Sequence, residues 1–273
     1  MDEPKLSPRQ DRLLRSIHGI GISLGEHHPG DGSGDSLREV VELAQASRIL
    51  EDVAGQIGVP RRWIAYARTS GERGDIWRPD LLLGPAMDRA EVLGRLTVQV
   101  HRLQDNTAVA AEYARRHRLP EVDPDVGQTL GLAWQRVGAL SAAVALHRTE
   151  RTRIWERART PWPPAAAAAA AAMSNTELSA RHQGLADTPI TEDGMAVAVL
   201  RRLGIGHDEI TAHMPVTTED MIALTTRELT TTITGHRIDT AVHATPPLDT
   251  PGIGFDPAPE PELDPDVDAG PHL

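Results

Sequence analysis

The stretch Leu93-Gly-Arg-Leu-Thr-Val-Gln-Val-His-Arg-Leu-Gln-Asp-Asn-Thr-Ala-Val-Ala-Ala-Glu-Tyr-Ala114 decides the fold class. Leu93, Leu96, Val100, Leu103, Thr107, Ala110 and Ala114 recur in steps of three and four. Such spacing lines one face of a helix and is the heptad seam of a coiled coil. The pattern predicts a long helix from about Pro85, in its first turn, to Arg118. Leu119-Pro-Glu-Val-Asp-Pro124 breaks it. Beyond the break, Val126, Leu130, Ala133, Val137, Leu140 and Val144 alternate in the same way. Two long helices joined by so short a turn are expected to form an antiparallel hairpin. Its seam has two readings: it packs on the chain's own N-terminal helices, or it is the interface of a homodimer. Asp123 and Asp125, on either side of Pro124, read as a turn and helix cap rather than an acid pair.

Working outward, Asp52-Val-Ala-Gly-Gln-Ile-Gly-Val-Pro-Arg-Arg-Trp-Ile-Ala-Tyr-Ala-Arg68 reads as two short helices joined by a tight turn. Ala54 falls where the helices cross, and Gly58 falls where the turn needs a positive φ. Val53, Ile57, Val59 and Ile64 supply the apolar faces. The stretch resembles a helix-turn-helix. That resemblance covers about residues 52–68 and places Arg61, Arg62, Trp63, Tyr66 and Arg68 on or beside a recognition helix. Arg61 and Arg62 supply the donors that phosphates and guanine edges require, with Trp63, Tyr66 and Arg68 adding packing or backbone contacts. The order of motif, Gly71 turn and later long helices is weakly similar to MerR-type regulators. It departs from them in that the motif lies some fifty residues into the chain and no clear wing follows.

Upstream, residues 8–18 form an amphipathic pattern expected to stop at Gly19 and Gly21, and Gly25 to Gly34 has loop composition. Ser36 and Glu39 read as a capping box for a helix through Val40, Leu43, Ala44, Ser47 and Leu50. Downstream, Thr69 to Pro79 is turn-rich, a small wing or a connector. Pro161-Trp-Pro-Pro and the alanines from Ala165 to Ala172 read as a spacer, because alanines have no large side chain to bury. Thr191 to Leu203 reads as a capped helix ending near Gly204. A second, weaker helix-turn-helix spacing occupies residues 209–224, with Thr211 and Pro215 in place of the crossing alanine and turn glycine. Its second helix carries Glu219 and Asp220, which repel phosphates, so a protein partner is expected there. From Thr245 the chain is Pro-, Gly- and Asp-rich with no Lys or Arg, the composition of a disordered acidic tail. The expected organisation is therefore all-α: a helical domain over 1–160, a Pro/Ala linker over 161–175, a small helical module over 176–244 and the tail over 245–273.

Composition bounds the chemistry. The chain has 40% hydrophobic residues but only 3% aromatics, so its core rests on Leu, Val, Ile and Ala. It has no cysteine, which excludes disulfides and thiolate sites. The net charge of −11 is uneven: from Met173 onward there are 5 arginines and 17 carboxylates, and the residues before it hold 23 basic and 22 acidic groups. The first part is thus neutral enough to carry a local basic face. No apolar run suits a membrane span, the N-terminus lacks a signal-peptide pattern, and a cytoplasmic location is expected. No phosphate loop or His-Glu-x-x-His occurs. His207 and His213 do not share a helical face, and Asp264, Asp266 and Asp268 lack the distal glutamate of a calcium loop. No catalytic residue, metal or cofactor is expected. The sequence favours a non-enzymatic DNA-binding or DNA-associated accessory protein. The alternative is a helical scaffold that binds proteins and no nucleic acid. The partners implied are double-stranded DNA, a second copy through the hairpin, and a protein partner for 176–244.

Overall fold

The computed structural model describes residues 6–26, 34–82, 84–157 and 160–244. It is all-α, with no strand among the described residues. The helices are α1 (Pro8–Glu26), α2 (Gly34–Gln56), α3 (Arg61–Glu72), α4 (Arg89–His117), α5 (Pro124–Ala143) and α6 (Arg148–Trp155), followed by α7 (Trp162–Ala171), α8 (Asn175–Ala186), α9 (Ile190–Arg202), α10 (His207–His213) and α11 (Thr218–Ala244). A 3-10 turn, Pro79–Leu81, lies between α3 and α4. The acidic tail over 245–273 and the His27–His28 loop lie outside the described residues.

α4 is the central element, with α2, α5, α6, α7 and α8 all packed on it. Leu96, Val100, Leu103, Thr107, Ala110 and Ala114 are buried, as are Val126, Leu130, Val137 and Leu140 of α5. From Leu103 to Ala114, burial extends around α4 to Gln104, Ala108, Val109, Ala111 and Glu112. The seam expected for a homodimer is thus covered by the chain's own helices. α4 starts later than Pro85, because the Asp88 carboxylate accepts from the Ala90 amide at 3.0 Å and fixes the first turn there. Asp123 caps α5 in the same way, accepting from Asp125 N at 2.9 Å.

The stretch expected as a spacer is helix α7. Its prolines sit in the first turn, where a missing N–H costs nothing. Ala166, Ala167 and Ala170 are buried, packing with Ala108, Ala111, Trp162 and Leu229. Small side chains on both helices let them approach closely. One core runs from Leu13 to Met221, and the residues to Ile233 form one compact unit. The expected division near residue 160 is therefore absent. A second unit begins at Thr234, and its described part is the helical stretch 234–244.

The glycines expected to end α1 lie inside it. A Cβ on Gly21 would sit 2.8 Å from the Arg68 carbonyl oxygen, and Cβ atoms on Gly25 and Gly71 would come closer still to Glu72 and His18. These three glycines seat α1 backbone-to-backbone on α3. Gly71, read from sequence as a turn, is a buried α3 residue for the same reason. Tertiary packing here outweighs the low helix propensity of glycine.

Gly71→Ala is expected to destabilise by about 1–3 kcal/mol, the cost of an overpacked contact. Gly19 faces open space in the same helix, so Gly19→Ala should stabilise by up to about 1 kcal/mol. Urea denaturation of both variants checks the contrast. A second expectation concerns His182 of α8, 7% exposed and stacked on Tyr113 at 3.7 Å between ring centroids. Burial pushes its pKa down, with Asp123 opposing and His117 assisting. The unfolded chain therefore binds the proton first as pH falls through about 6.5. Stability is full above that pH and declines below it, towards the lowered folded value. His182→Phe should show a smaller loss between pH 7.5 and 5.5, taken as roughly a unit either side of the ordinary value; equal losses would remove this histidine from the account.

Candidate nucleic-acid interface

The turn between α2 and α3 has the geometry its residues imply. Val53, Ala54, Ile57, Val59 and Ile64 are buried. Gly58 has φ +89°, and a Cβ there would meet Val92 Cγ2 at 2.8 Å. Conformation and space thus both require glycine. Val59 N donates to the Ala54 carbonyl at 2.9 Å, closing the turn. Pro60 precedes α3 with φ −59° and ψ 139°, and its carbonyl accepts from Trp63 N at 2.9 Å.

The five candidate residues do not share one environment. Trp63 is 2% exposed and belongs to the inward stripe Trp63, Ile64, Ala67, Ser70 and Gly71. It is a core residue, not a surface contact. Tyr66 is half-buried and packs on Trp77 at 5.9 Å, which in turn meets the edge of His18 at 5.5 Å. Arg62 is exposed and donates to the Pro85 carbonyl. Arg68 lies between Glu51, at 3.5 Å, and Glu72, at 3.8 Å. Arg61 is exposed and has no side-chain partner among the described residues.

A groove of about 340 Å³ runs beside α3, lined by the end of α2, Arg61, Ala65 and Arg68, and by Arg95 of α4. Arg95 donates to Gly55 O at 3.2 Å and pairs with Glu91 at 2.6 Å. Sequence reading missed Arg95, because the fold brings it from another helix; its only signal was its place beside Leu96. The groove's arginines face Glu51 and Asp52, so the surface is mixed in charge rather than uniformly basic.

No wing strand follows α3 among the described residues; the chain turns at Gly74 and enters the 3-10 turn. The second motif also has two helices and a turn. Its α10 is locked on α5, where a Cβ on Gly138 would lie 2.7 Å from Ile210 Cγ2 and 2.9 Å from Met214 Cγ. Trp134 Nε1 donates to Val216 O at 2.8 Å and holds the turn. Glu219 and Asp220 at the start of α11 are exposed. His213 Nδ1 bonds Glu209 O at 2.8 Å, and no cluster of three or more His, Asp or Glu suited to a metal occurs among the described residues. No described helix is long and apolar enough to cross a membrane. Neither protein-family models, curated proteins nor solved structures give a match to this chain.

Trp63→Ala is expected to cost roughly 3–5 kcal/mol, as for a buried aromatic. Arg61→Ala should stay within about 0.5 kcal/mol of the parent. Thermal melting of both variants checks this assignment of core and surface.

Proposed function

We propose that the chain is a DNA-binding or DNA-associated accessory protein whose contact surface is the first turn of α3. The observation supporting this reading is Arg61, exposed and unpartnered among the described residues, in a first turn with no acidic residue and no capping side chain. A helix start of this kind attracts phosphate through its N–H groups and its dipole. Arg62 stands beside it, and Arg68 lies one turn or more along the same helix. Trp63 and Tyr66 act in this reading by fixing the helix, not by touching DNA.

A second reading rests on a different observation. Arg68 lies between two glutamates and Arg95 is paired with Glu91, which suits a protein surface better than a polyanion. In that reading the chain is a helical scaffold, and the exposed acidic start of α11 is a further docking element.

The experiment is binding of the full chain to mixed-sequence duplex as a function of salt. The DNA reading expects log affinity to fall with log salt by about 0.9 for each phosphate contact. Arg61→Ala should reduce the slope by about 1 while melting is unchanged. A folded chain that binds no duplex at about 50 mM salt, a condition in which phosphate contacts are strong, would replace the DNA reading with the scaffold.

A further inference from the structure

Far from α3 in sequence, α6, the start of α7 and the end of α10 enclose a groove of about 760 Å³. This is the size of sites that hold small organic ligands. Trp155 and Trp162 stand edge to face on one side, with ring centroids 6.3 Å apart. Met214 and the prolines at 163 and 215 extend the apolar wall.

The site is held on firm supports. Gln104, 0% exposed on α4, donates from Nε2 to Trp155 O at 3.0 Å and accepts from Arg157 Nε at 2.7 Å. His101 bonds the next carbonyl, Glu156 O, at 3.2 Å. The close contact of Gly138 with Ile210 and Met214 fixes α10 on the opposite side. The groove is a product of the packed core rather than a gap between loose segments.

Arg151 supplies the chemical signal. Its Nη1 donates to Ala212 O, near the end of α10. Its Nε is buried without a partner, and its Nη2 makes no hydrogen bond among the described residues. The Nε/Nη2 edge is the one that this chain repeatedly gives to carboxylates. Arg78 uses it on Asp80, Arg89 on Glu150, and Arg115 on Glu112. An arginine fork can only donate, so what completes it is an acceptor, and a carboxylate fits it with two bonds. Arg148 is exposed in the same groove with no side-chain partner among the described residues. Glu156 also lines the groove, and against two arginines it favours a monoanion over a polyanion.

We propose that this groove binds a small aromatic monocarboxylate. The carboxylate takes the Nε/Nη2 edge of Arg151 with support from Arg148, and the ring lies against Trp155 and Trp162. Because Nε is buried, the ligand meets Nη2 first, and the two-bond contact requires the arginine side chain to turn. The proposal is independent of the DNA reading.

The test is calorimetric titration of the full chain with phenylacetate and indoleacetate, each against its neutral amide. At least one acid should bind saturably at one site per chain, and its amide about tenfold more weakly, the difference one good ionic contact makes. Arg151→Lys keeps a donor for Ala212 O but loses the fork, and should weaken acid binding about tenfold. Arg148→Gln, at an exposed position, should weaken it without moving the melting temperature, which keeps the proposal testable if the Arg151 variant folds poorly. Absence of saturable binding by both acids would overturn the proposal. So would equal binding of acid and amide, or acid binding unchanged in both variants.

Discussion

The side chain of Glu112, near the end of α4, is fully buried, and two arginines of the same helix let it keep its charge. Burial pushes this carboxyl up, but hydrogen bonds from Arg115 and Arg116 at 2.6–2.7 Å outweigh it and hold it below the usual carboxylate range. Arg116 does more than neutralise. Its other donors reach Ala171 O, Met173 O and Asn175 Oδ1. The same guanidinium therefore satisfies carbonyls at the end of α7, where a helix dipole favours a cation. An uncompensated buried charge is strongly destabilising. Arg115 and Arg116 of α4 itself compensate Glu112, and the docking of α7 supplies the carbonyls that the remaining donors of Arg116 need.

Small residues set the distances between the other layers. Alanines of α4 and α7 meet face to face, glycines of α1 and α3 bring two backbones together, and Gly138 admits α10 to α5. With so few aromatics, the chain gains contact by shortening the separation of its helices rather than by filling space with large side chains. The large residues sit at junctions: Trp63 under the α2–α3 turn, Trp134 at the α10–α11 turn, and Trp155 and Trp162 where α6 meets α7. Both candidate surfaces follow from this plan, since each lies where a core tryptophan fixes the helix that presents an arginine.

Much of this was legible in the sequence. The heptad positions from Leu96 to Ala114 named the buried side of α4, and Ala54 with Gly58 named the α2–α3 turn. What misled was the local meaning of small residues. Gly19 and Gly21 read as a helix stop and Gly25 as loop because glycine is a poor helix former alone. Only contact with the α3 backbone at Arg68, Gly71 and Glu72 reveals Gly21 and Gly25 as a packing surface. Ala165 to Ala172 read as a spacer because alanine has little area to bury, whereas close approach is what α7 requires. At the candidate interface, the exposed position of Arg61 was legible from its place before the apolar stripe. Trp63 was misplaced because its type was read for chemistry before its register with Ala67 and Gly71 was read for burial. Arg95, Arg148 and Arg151 were not legible as site residues, since the helices that carry them meet their neighbours only in the folded chain.

The central structural claim is that the alanine helix belongs to the same cooperative unit as α4. Native-state hydrogen exchange resolved at individual amides tests it directly. Amides of residues 166–171 are predicted to exchange only through global unfolding, with the same opening free energy as those of 103–114. Exchange of the alanine segment as fast as an unstructured peptide, while α4 stays protected, would contradict the account and restore a linker between two separable halves.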